Sequence, residues 1–260
     1  MLIRDMWMAM SYPVGFALTI GGSIFNILGI FFLSEAFGPN LAAPVERYGG
    51  SYFGFAVIGV ALMAFMAVGL GSTASRIREG QLMGTLELML LSPNSLGLVL
   101  FSSSLWSHAL AAGALLLTLV AGVALGMNVS NANVLMACVS LLFSVVAFNA
   151  LGLVAASVVI VIKQGSPVTL VVGLASALAG GVLYPTDVLP GWLQGVGQVL
   201  PLTHALELIR RSVLRGEGIE TMWGPLGSLA ALTAVMLPLG LWACGRAVRI
   251  AQTDGSLSQY

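Results

Sequence analysis

Long uncharged apolar stretches alternate with short polar segments along this chain of 260 residues. A helix needs about 20 apolar residues to cross the roughly 30 Å hydrocarbon core of a bilayer. The apolar stretches therefore predict six membrane-spanning helices, at residues 13–33, 52–72, 97–125, 134–162, 166–184 and 225–245. None of these stretches contains Asp, Glu, Lys or Arg. The predicted fold is an all-α membrane protein with six transmembrane helices in one domain, residues 1–260.

The composition agrees with a membrane protein. Apolar residues make up 58% of the chain and charged residues only 8%, whereas soluble domains carry about 25% charged residues. The apolar runs have the length of helices and lack the alternation of barrel strands. Ten basic and ten acidic residues leave no basic patch for nucleic acid. Cys138 and Cys244 both fall in apolar spans, so we expect buried packing residues and not a disulfide or a metal site.

Basic residues predict the orientation in the membrane. Six crossings place both termini on one side, and cytoplasmic termini would put these basic residues inside: Arg4, Arg76, Arg78, Lys163, Arg246 and Arg249. Arg47 and the three arginines at 210, 211 and 215 would lie outside. Cytoplasmic loops carry an excess of Lys and Arg, and long outer segments count little in this rule. We therefore expect a multi-pass protein of the cell (inner or plasma) membrane with both termini in the cytoplasm.

Residues 185–224 are too polar, and too often broken by Pro and Gly, to form another span. One helical face within them is apolar and carries Leu202, Leu206, Ile209 and Val213. The opposite face carries His204, Glu207 and Arg211, and the last two are spaced for an i,i+4 ion pair. This pattern predicts a helix that lies at the membrane interface or dips partly into it. An ordinary loop helix and a functional gate both fit it.

The predicted spans give little support for ion coupling. Carriers driven by protons or sodium place ionisable residues near mid-membrane, and here the sole imidazole within the spans is His108. We expect His108 to be a hydrogen-bonded packing residue or an interfacial histidine, with a proton relay as the alternative. Asn26 and Asn149 are expected to form hydrogen bonds between helices.

The chain also lacks an ATPase site of its own. A phosphate-binding P-loop needs Gly-x-x-x-x-Gly-Lys-Ser/Thr, but Lys163 is the only lysine and Gln164 follows it. No paired carboxylates, metal-ligand cluster or Ser/His arrangement occurs in the spans, so an intramembrane enzyme is not indicated and no catalytic or metal-binding residue is predicted. Either the chain transports nothing against a concentration gradient, or a partner supplies the energy for transport.

A short polar interruption at residues 76–93, RIREGQLMGTLELMLLSP, follows the second predicted span. Its apolar run is too brief to cross a bilayer, and a broad apolar face carries Leu82, Leu86, Met89 and Leu90. Glu87 lies off that face, where it could pair with a cation, and Pro93 stops the helix. The segment predicts docking to a partner; an amphipathic connector resting on lipid headgroups is the alternative.

This interruption resembles the cytoplasmic coupling segment of ABC exporter permeases of the type-2 (ABC-2-like) class. In that family a charged-Glu-Gly turn leads into Gly-Thr-Leu-Glu, an apolar helix and a Ser/Thr-Pro stop. The resemblance implies these coupling residues: Arg78, Glu79, Gly80, Gly84, Thr85, Leu86, Glu87, Leu90, Ser92 and Pro93.

A second resemblance lies at residues 183–211, which look like the family's extracytoplasmic hairpin. Its Leu-Pro-x-Trp-Leu and Pro-Leu-Thr-x-x-x-Glu-x-x-Arg elements are both present. The resemblance implies a re-entrant hairpin at 185–224 between spans five and six, with these residues: Pro185, Leu189, Pro190, Trp192, Pro201, Glu207, Arg210 and Arg211.

The resemblance also implies partners. The chain would pair with itself or a close paralogue and with cytoplasmic nucleotide-binding subunits, which hold ATP and Mg, so no cofactor is expected on this chain. Uncharged spans suit an exported substrate with a large apolar portion: a drug, a lipid or a lipid-linked glycan. The alternative is a non-transport membrane anchor or assembly subunit that recruits a cytoplasmic ATPase.

Overall fold

A computed structural model describes residues 13–49, 51–82, 96–162 and 166–253. The regular secondary structure of this part of the chain is all helical, with no strand among the described residues. Its α-helices are α1 (Pro13–Ala42), α2 (Tyr52–Leu82), α3 (Leu96–Ala124), α4 (Val134–Ile162), α5 (Ser166–Ala179), α6 (Gly191–Val199), α7 (Pro201–Leu214) and α8 (Ile219–Thr253). Short 3₁₀ turns occupy Ala43–Tyr48 and Thr186–Val188. The all-helical prediction is confirmed.

Four of these helices are long and apolar enough to cross a membrane, over Tyr52–Thr73, Ser107–Ala124, Val134–Ile160 and Ile219–Ala247. The apolar runs in α1 and α5 are shorter, at Ile24–Ala36 and Pro167–Ala179 among the described residues. Each is shorter than the roughly 20 residues that one crossing needs. Four spans therefore make this a multi-pass membrane protein, and the six-span count stays a prediction.

Helix α2 is the central helix of the bundle. Of the most apolar stretch of α2, 72% is buried inside the protein, whereas only 17% of the corresponding stretches of α3 and α8 is buried. It packs against α1, α3, α4 and α7, and large side chains such as Phe65 and Met66 are almost wholly buried. A Cβ at Gly152 of α4 would lie 2.6 Å from the carbonyl oxygen of Gly69. Two glycines thus let α2 and α4 approach closely, as small residues do in membrane bundles.

The outer faces of the bundle are apolar. Exposed side chains include Leu116 and Val120 on α3, Leu170 and Leu174 on α5, and Val235 on α8. Cys244 is buried as predicted, but Cys138 is exposed on α4, so that prediction was wrong. Because α4 is apolar on all sides, its sequence cannot distinguish the side that faces the protein from the side that faces outwards.

Three connecting segments meet at one end of the bundle, which we call the hairpin end: residues 43–49 with residue 51, residues 125–133 and residues 180–218. The Asn133 N–H donates to the Ser212 carbonyl at 2.8 Å, and Arg215 Nη1 donates to the Arg47 carbonyl at 2.9 Å. Helices α6 and α7 both lie here, and each is too short to span a bilayer. Helix α2 runs from this end to Leu82, and its apolar stretch Tyr52–Thr73 agrees with the predicted span 52–72.

Candidate functional site

Helix α7 buries the face that the sequence predicts. Its apolar residues are nearly inaccessible: Leu202, Leu206, Ile209 and Val213. Pro201 occupies the start of the helix, where its missing N–H and fixed φ are tolerated. His204, Glu207 and Arg211 are only partly exposed. The helix therefore packs against the bundle, with its polar side facing the loops of the hairpin end.

A charged residue lies within this buried face. The Arg210 side chain is 2% exposed and donates to three backbone carbonyls. Its Nε and Nη2 donate to the Phe55 oxygen at 3.2 and 3.0 Å. Nη1 donates to Gly181 at 2.8 Å, and Nη2 donates to Val182 at 2.7 Å. Arg210 thus ties α7 to the first turn of α2 and to the segment that follows α5.

The surroundings of Arg210 compensate for its burial. Gly181 and Val182 follow the C-terminus of α5, where free carbonyls and the helix dipole favour a cation. The Arg210 Cζ also lies 3.4 Å from the centre of the Phe55 ring, a cation–π contact. Burial lowers the pKa of Arg210 to about 9, although the Glu207 carboxylate opposes this effect. The guanidinium therefore stays charged at neutral pH.

Gly59 makes room for this contact. A Cβ at this position of α2 would lie 2.0 Å from the Val182 oxygen and 2.6 Å from Arg210 Nη2. Gly181 has φ +77, in the left-handed region that glycine adopts without strain. These two glycines let the chain turn after α5 and bring its carbonyls onto α2.

A second set of contacts joins the first 3₁₀ turn to α7. The Tyr48 hydroxyl donates to the Glu207 carboxylate and accepts a hydrogen bond from Arg47 Nη2 at 2.8 Å. Arg47 also forms an ion pair with Asp187 of the second 3₁₀ turn. Burial and the neighbouring Glu207 carboxylate raise the pKa of Tyr48 far above its usual range. Tyr48 is therefore a neutral donor that links the two turns to α7.

The predicted ion pair between Glu207 and Arg211 is present, with Nη1 and Oε1 3.6 Å apart. Arg211 has a closer partner, however: its Nε donates to Glu217 at 2.8 Å. Glu217 also pairs with Arg215 at 3.3 Å and accepts from Thr221 at 3.1 Å. Burial raises the pKa of Glu217, but the hydrogen bonds from Arg211 and Thr221 outweigh that effect and lower it.

A cleft of about 300 Å³ lies among these groups, which we call the hairpin cleft. Its polar lining comes from both 3₁₀ turns, α7 and the beginning of α8, with Arg47, Asp187, His204, Glu207, Arg210 and Ser228. Two cations and two carboxylates thus border one cavity. Among the predicted hairpin residues, the structure brings Pro185, Glu207 and Arg210 together at this cleft.

The other predicted hairpin residues lie elsewhere. Leu189 and Pro190 form the connection before α6, and Trp192 at its beginning is 73% exposed. The sequence analysis did not predict Arg47, Tyr48 and Asp187 as site residues, because no spacing in the sequence links them to α7. The burial of Arg210 had a signal, because it follows Leu206 by four residues and so continues the apolar stripe of α7.

A buried polar cluster lies within the membrane helices. His108 Nδ1 lies 2.9 Å from the Ser104 carbonyl, and its Nε2 lies 3.3 Å from Asn149 Nδ2. The Ser104 hydroxyl donates to Asn149 Oδ1 at 2.7 Å. A neutral imidazole with a proton on Nδ1 satisfies each contact. His108 is therefore a hydrogen-bonded packing residue, and Asn149 joins α4 to α3 as predicted, whereas Asn26 is exposed on α1.

The predicted coupling segment is only partly within the described residues. Arg78, Glu79 and Gly80 continue the backbone of helix α2, so the predicted turn at these positions is wrong. A single glycine costs a helix only about 1 kcal/mol and need not end it. The remaining coupling residues lie outside the described residues: Gly84, Thr85, Leu86, Glu87, Leu90, Ser92 and Pro93.

Comparison with protein families identifies the chain. The family described as ABC-2 family transporter protein matches residues 39–242, which include residues 76–93 and 185–224. A search of curated proteins gave no match. The matched range covers most of the 260 residues. The chain therefore belongs to the ABC-2 transporter family, as a multi-pass membrane permease.

Proposed function

We propose that this chain is the membrane-spanning permease subunit of an ATP-driven ABC exporter. It is a single permease domain over residues 1–260 that moves a drug, a lipid or a lipid-linked glycan out of the cytoplasm. The observation that carries the proposal is the family match over residues 39–242. Because the sequence has no P-loop, ATP and Mg bind to a separate nucleotide-binding subunit.

In this proposal the protein lies in the cell (inner or plasma) membrane. The hairpin end faces outwards, and both termini lie in the cytoplasm. Arg76 and Arg78 near the end of α2, and Arg246 and Arg249 near the end of α8, then lie inside. Most arginines at the hairpin end belong to the long 180–218 segment, which counts little in the positive-inside rule.

Residues 76–93 form the docking site for the nucleotide-binding subunit. Helix α2 leads directly into this segment and ends at Leu82. At 1.5 Å per residue, its 31 residues extend about 46 Å. Its other end is held at Phe55 by Arg210. A displacement of the docking segment would therefore reach the hairpin end along one continuous helix. The second permease chain, a copy or a close paralogue, packs on the exposed apolar faces.

The substrate has a large apolar portion. Two of the membrane-spanning helices, α2 and α4, have apolar stretches, at 52–73 and 134–160, that contain no Asp, Glu, Lys or Arg. The polar atoms of His108 and Asn149 are satisfied within the protein, by each other and by Ser104. A path along such helices offers no fixed charge to replace the hydration shell of a small ion.

Purification of the tagged chain from its native host in a mild detergent tests the docking site. We expect a stoichiometric P-loop subunit that is lost when Leu86→Ala and Glu87→Ala are combined. Trp192→Ala is the matched control, because this exposed residue lies at the hairpin end and its change should leave the subunit bound. Absence of any P-loop subunit after crosslinking would contradict the proposal.

ATP hydrolysis by the reconstituted complex separates transport from anchoring. Stimulation by an amphipathic compound, with its transfer across the vesicle membrane, is the result expected of an exporter. A complex whose ATP hydrolysis responds to none of the three substrate classes would instead identify a non-transport anchor or assembly subunit.

A further inference from the structure

The hairpin cleft extends from charged loops to a membrane helix. At its rim, the side chains of Arg47 and Asp187 are 43% and 62% exposed. At its other side it is lined by Pro225 and Ser228, which lie in the apolar window Ile219–Ala247 of α8. A ligand in this cleft would therefore place one part among charges and another beside an apolar helix. That geometry fits an amphiphile lying across a membrane interface.

The charges of the cleft are balanced. Two arginines, Arg47 and Arg210, and two carboxylates, those of Asp187 and Glu207, line the same cavity. A purely anionic headgroup would approach two carboxylates, and a purely cationic one would approach two guanidinium groups. Bringing like charges together at an interface is strongly unfavourable. A headgroup that carries both signs avoids both penalties.

The ion pair between Arg47 and Asp187, which we call the rim pair, is the solvent-accessible one among the charged residues of the cleft. Arg210 is buried and donates hydrogen bonds to backbone carbonyls. Glu207 accepts a hydrogen bond from Tyr48 and forms an ion pair with Arg211. The pair between Arg47 and Asp187 joins two different 3₁₀ turns and is exposed. Exposed ion pairs contribute little to stability, because solvent screens them. A ligand with both charges can therefore open this pair at little cost and replace each partner.

We propose that the hairpin cleft binds the headgroup of a zwitterionic amphiphile. Its phosphate accepts hydrogen bonds from Arg47, whose planar guanidinium matches phosphate geometry. Its ammonium group pairs with Asp187, and Glu207 provides a second carboxylate deeper in the cleft. The apolar tail lies along the beginning of α8. This inference rests on the proposed function, and it narrows the exported substrate to amphiphiles with a zwitterionic head.

Binding to the purified chain tests the proposal without any nucleotide-binding subunit. The probes are lysophosphatidylethanolamine, lysophosphatidylglycerol and a monoacylglycerol, all with the same acyl chain, measured by native mass spectrometry. We expect the zwitterionic probe to bind at least about tenfold more tightly than the other two. Arg47→Gln and Asp187→Asn should each remove most of this preference. Glu220→Gln is the matched control, because it removes an exposed charge outside the cleft lining.

Two results would overturn the proposal: equal binding of the three probes, or a preference that survives both rim variants. If a rim variant does not fold, Ser228→Trp fills the cleft from α8 without removing a charge and should abolish the preference. Unchanged binding in that variant would also overturn the proposal. Because binding is measured on the chain alone, failure of the docking site at residues 76–93 leaves this result unaffected, and the two failures are distinguishable.

Discussion

Arg210 and His108 are both buried polar residues, but the protein stabilises them in different ways. Arg210 lies at the hairpin end and keeps its charge, because it is held by carbonyls after the C-terminus of α5 and by the Phe55 ring. His108 lies within the membrane helices, and its contacts with Ser104 and Asn149 suit a neutral ring. At the hairpin end, free backbone carbonyls stabilise the buried charge of Arg210. Between the membrane helices, neutral hydrogen bonds stabilise the buried ring of His108.

Removal of the charged group should have the largest effect. Arg210→Met leaves the carbonyls of Gly181 and Val182 without their donor, and each unsatisfied buried acceptor costs about 1–3 kcal/mol. We expect the free energy of unfolding, measured by denaturing-detergent titration in mixed micelles, to fall by about 3 kcal/mol or more. Arg215→Gln, at a half-exposed arginine of the same end, should change it by less than about 1 kcal/mol. Similar losses in both variants would contradict the role of Arg210.

The close approach that lets Arg210 reach its acceptors can be blocked separately. Gly59→Ala places a Cβ 2.0 Å from the Val182 oxygen, so the segment after α5 must shift. Overpacking of this kind costs about 1–3 kcal/mol. Gly71→Ala on the same helix meets nothing within 4 Å and should stabilise the protein by up to about 1 kcal/mol. Opposite signs in the same titration are the expected result.

The neutral cluster should be less sensitive than the charged one. His108→Leu removes one of the two acceptors of Asn149 Nδ2, which also donates to the Val145 carbonyl, and hydrogen bonds between membrane helices contribute only about 1 kcal/mol. Thr118→Val is the control on α3, because the Thr118 hydroxyl bonds only within its own helix, to Ala114. A loss for His108→Leu as large as that for Arg210→Met would remove the distinction between the two sites.

The smallest effect concerns acid. The pKa of Glu217 is lowered in the folded state, so its contribution to stability is present above the ordinary carboxyl pKa and is lost as pH falls through the lowered value. We expect Glu217→Gln to cost about 1 kcal/mol at pH 7 and nothing measurable once the wild-type carboxyl is protonated. Unfolding temperatures of both proteins across acidic pH would measure this, and a constant difference would contradict it.

The sequence predicts local features of the fold well. Hydropathy places α2, α3, α4 and α8, because a span must be long and uncharged, and the spacing of Leu202 and Leu206 identifies the buried face of α7. Hydropathy marks a span and not the end of its helix: α2 continues beyond the apolar stretch Tyr52–Thr73 to Leu82, because nothing at residue 72 stops a helix. The exposure of Cys138 could not be predicted, since α4 is apolar all round.

The candidate site depends on contacts that sequence spacing does not contain. Glu207 and Arg211 are four residues apart on one helix, so their pair was predictable. Arg47 and Asp187, or Arg210 and Phe55, are far apart in the chain and meet only because α2, α5 and α7 pack together. Glu217 reaches Arg211 because the chain reverses at Gly216, which has φ +69.

Arg210 also sets an order of events during synthesis. The carbonyls of Gly181 and Val182 leave the ribosome before Arg210 does, so the end of α5 has no permanent donor while the hairpin is still being made. Water must solvate these groups at the membrane surface in the interval. The contacts by which Arg210 joins α2, α5 and α7 can therefore form only after α7 has left the ribosome.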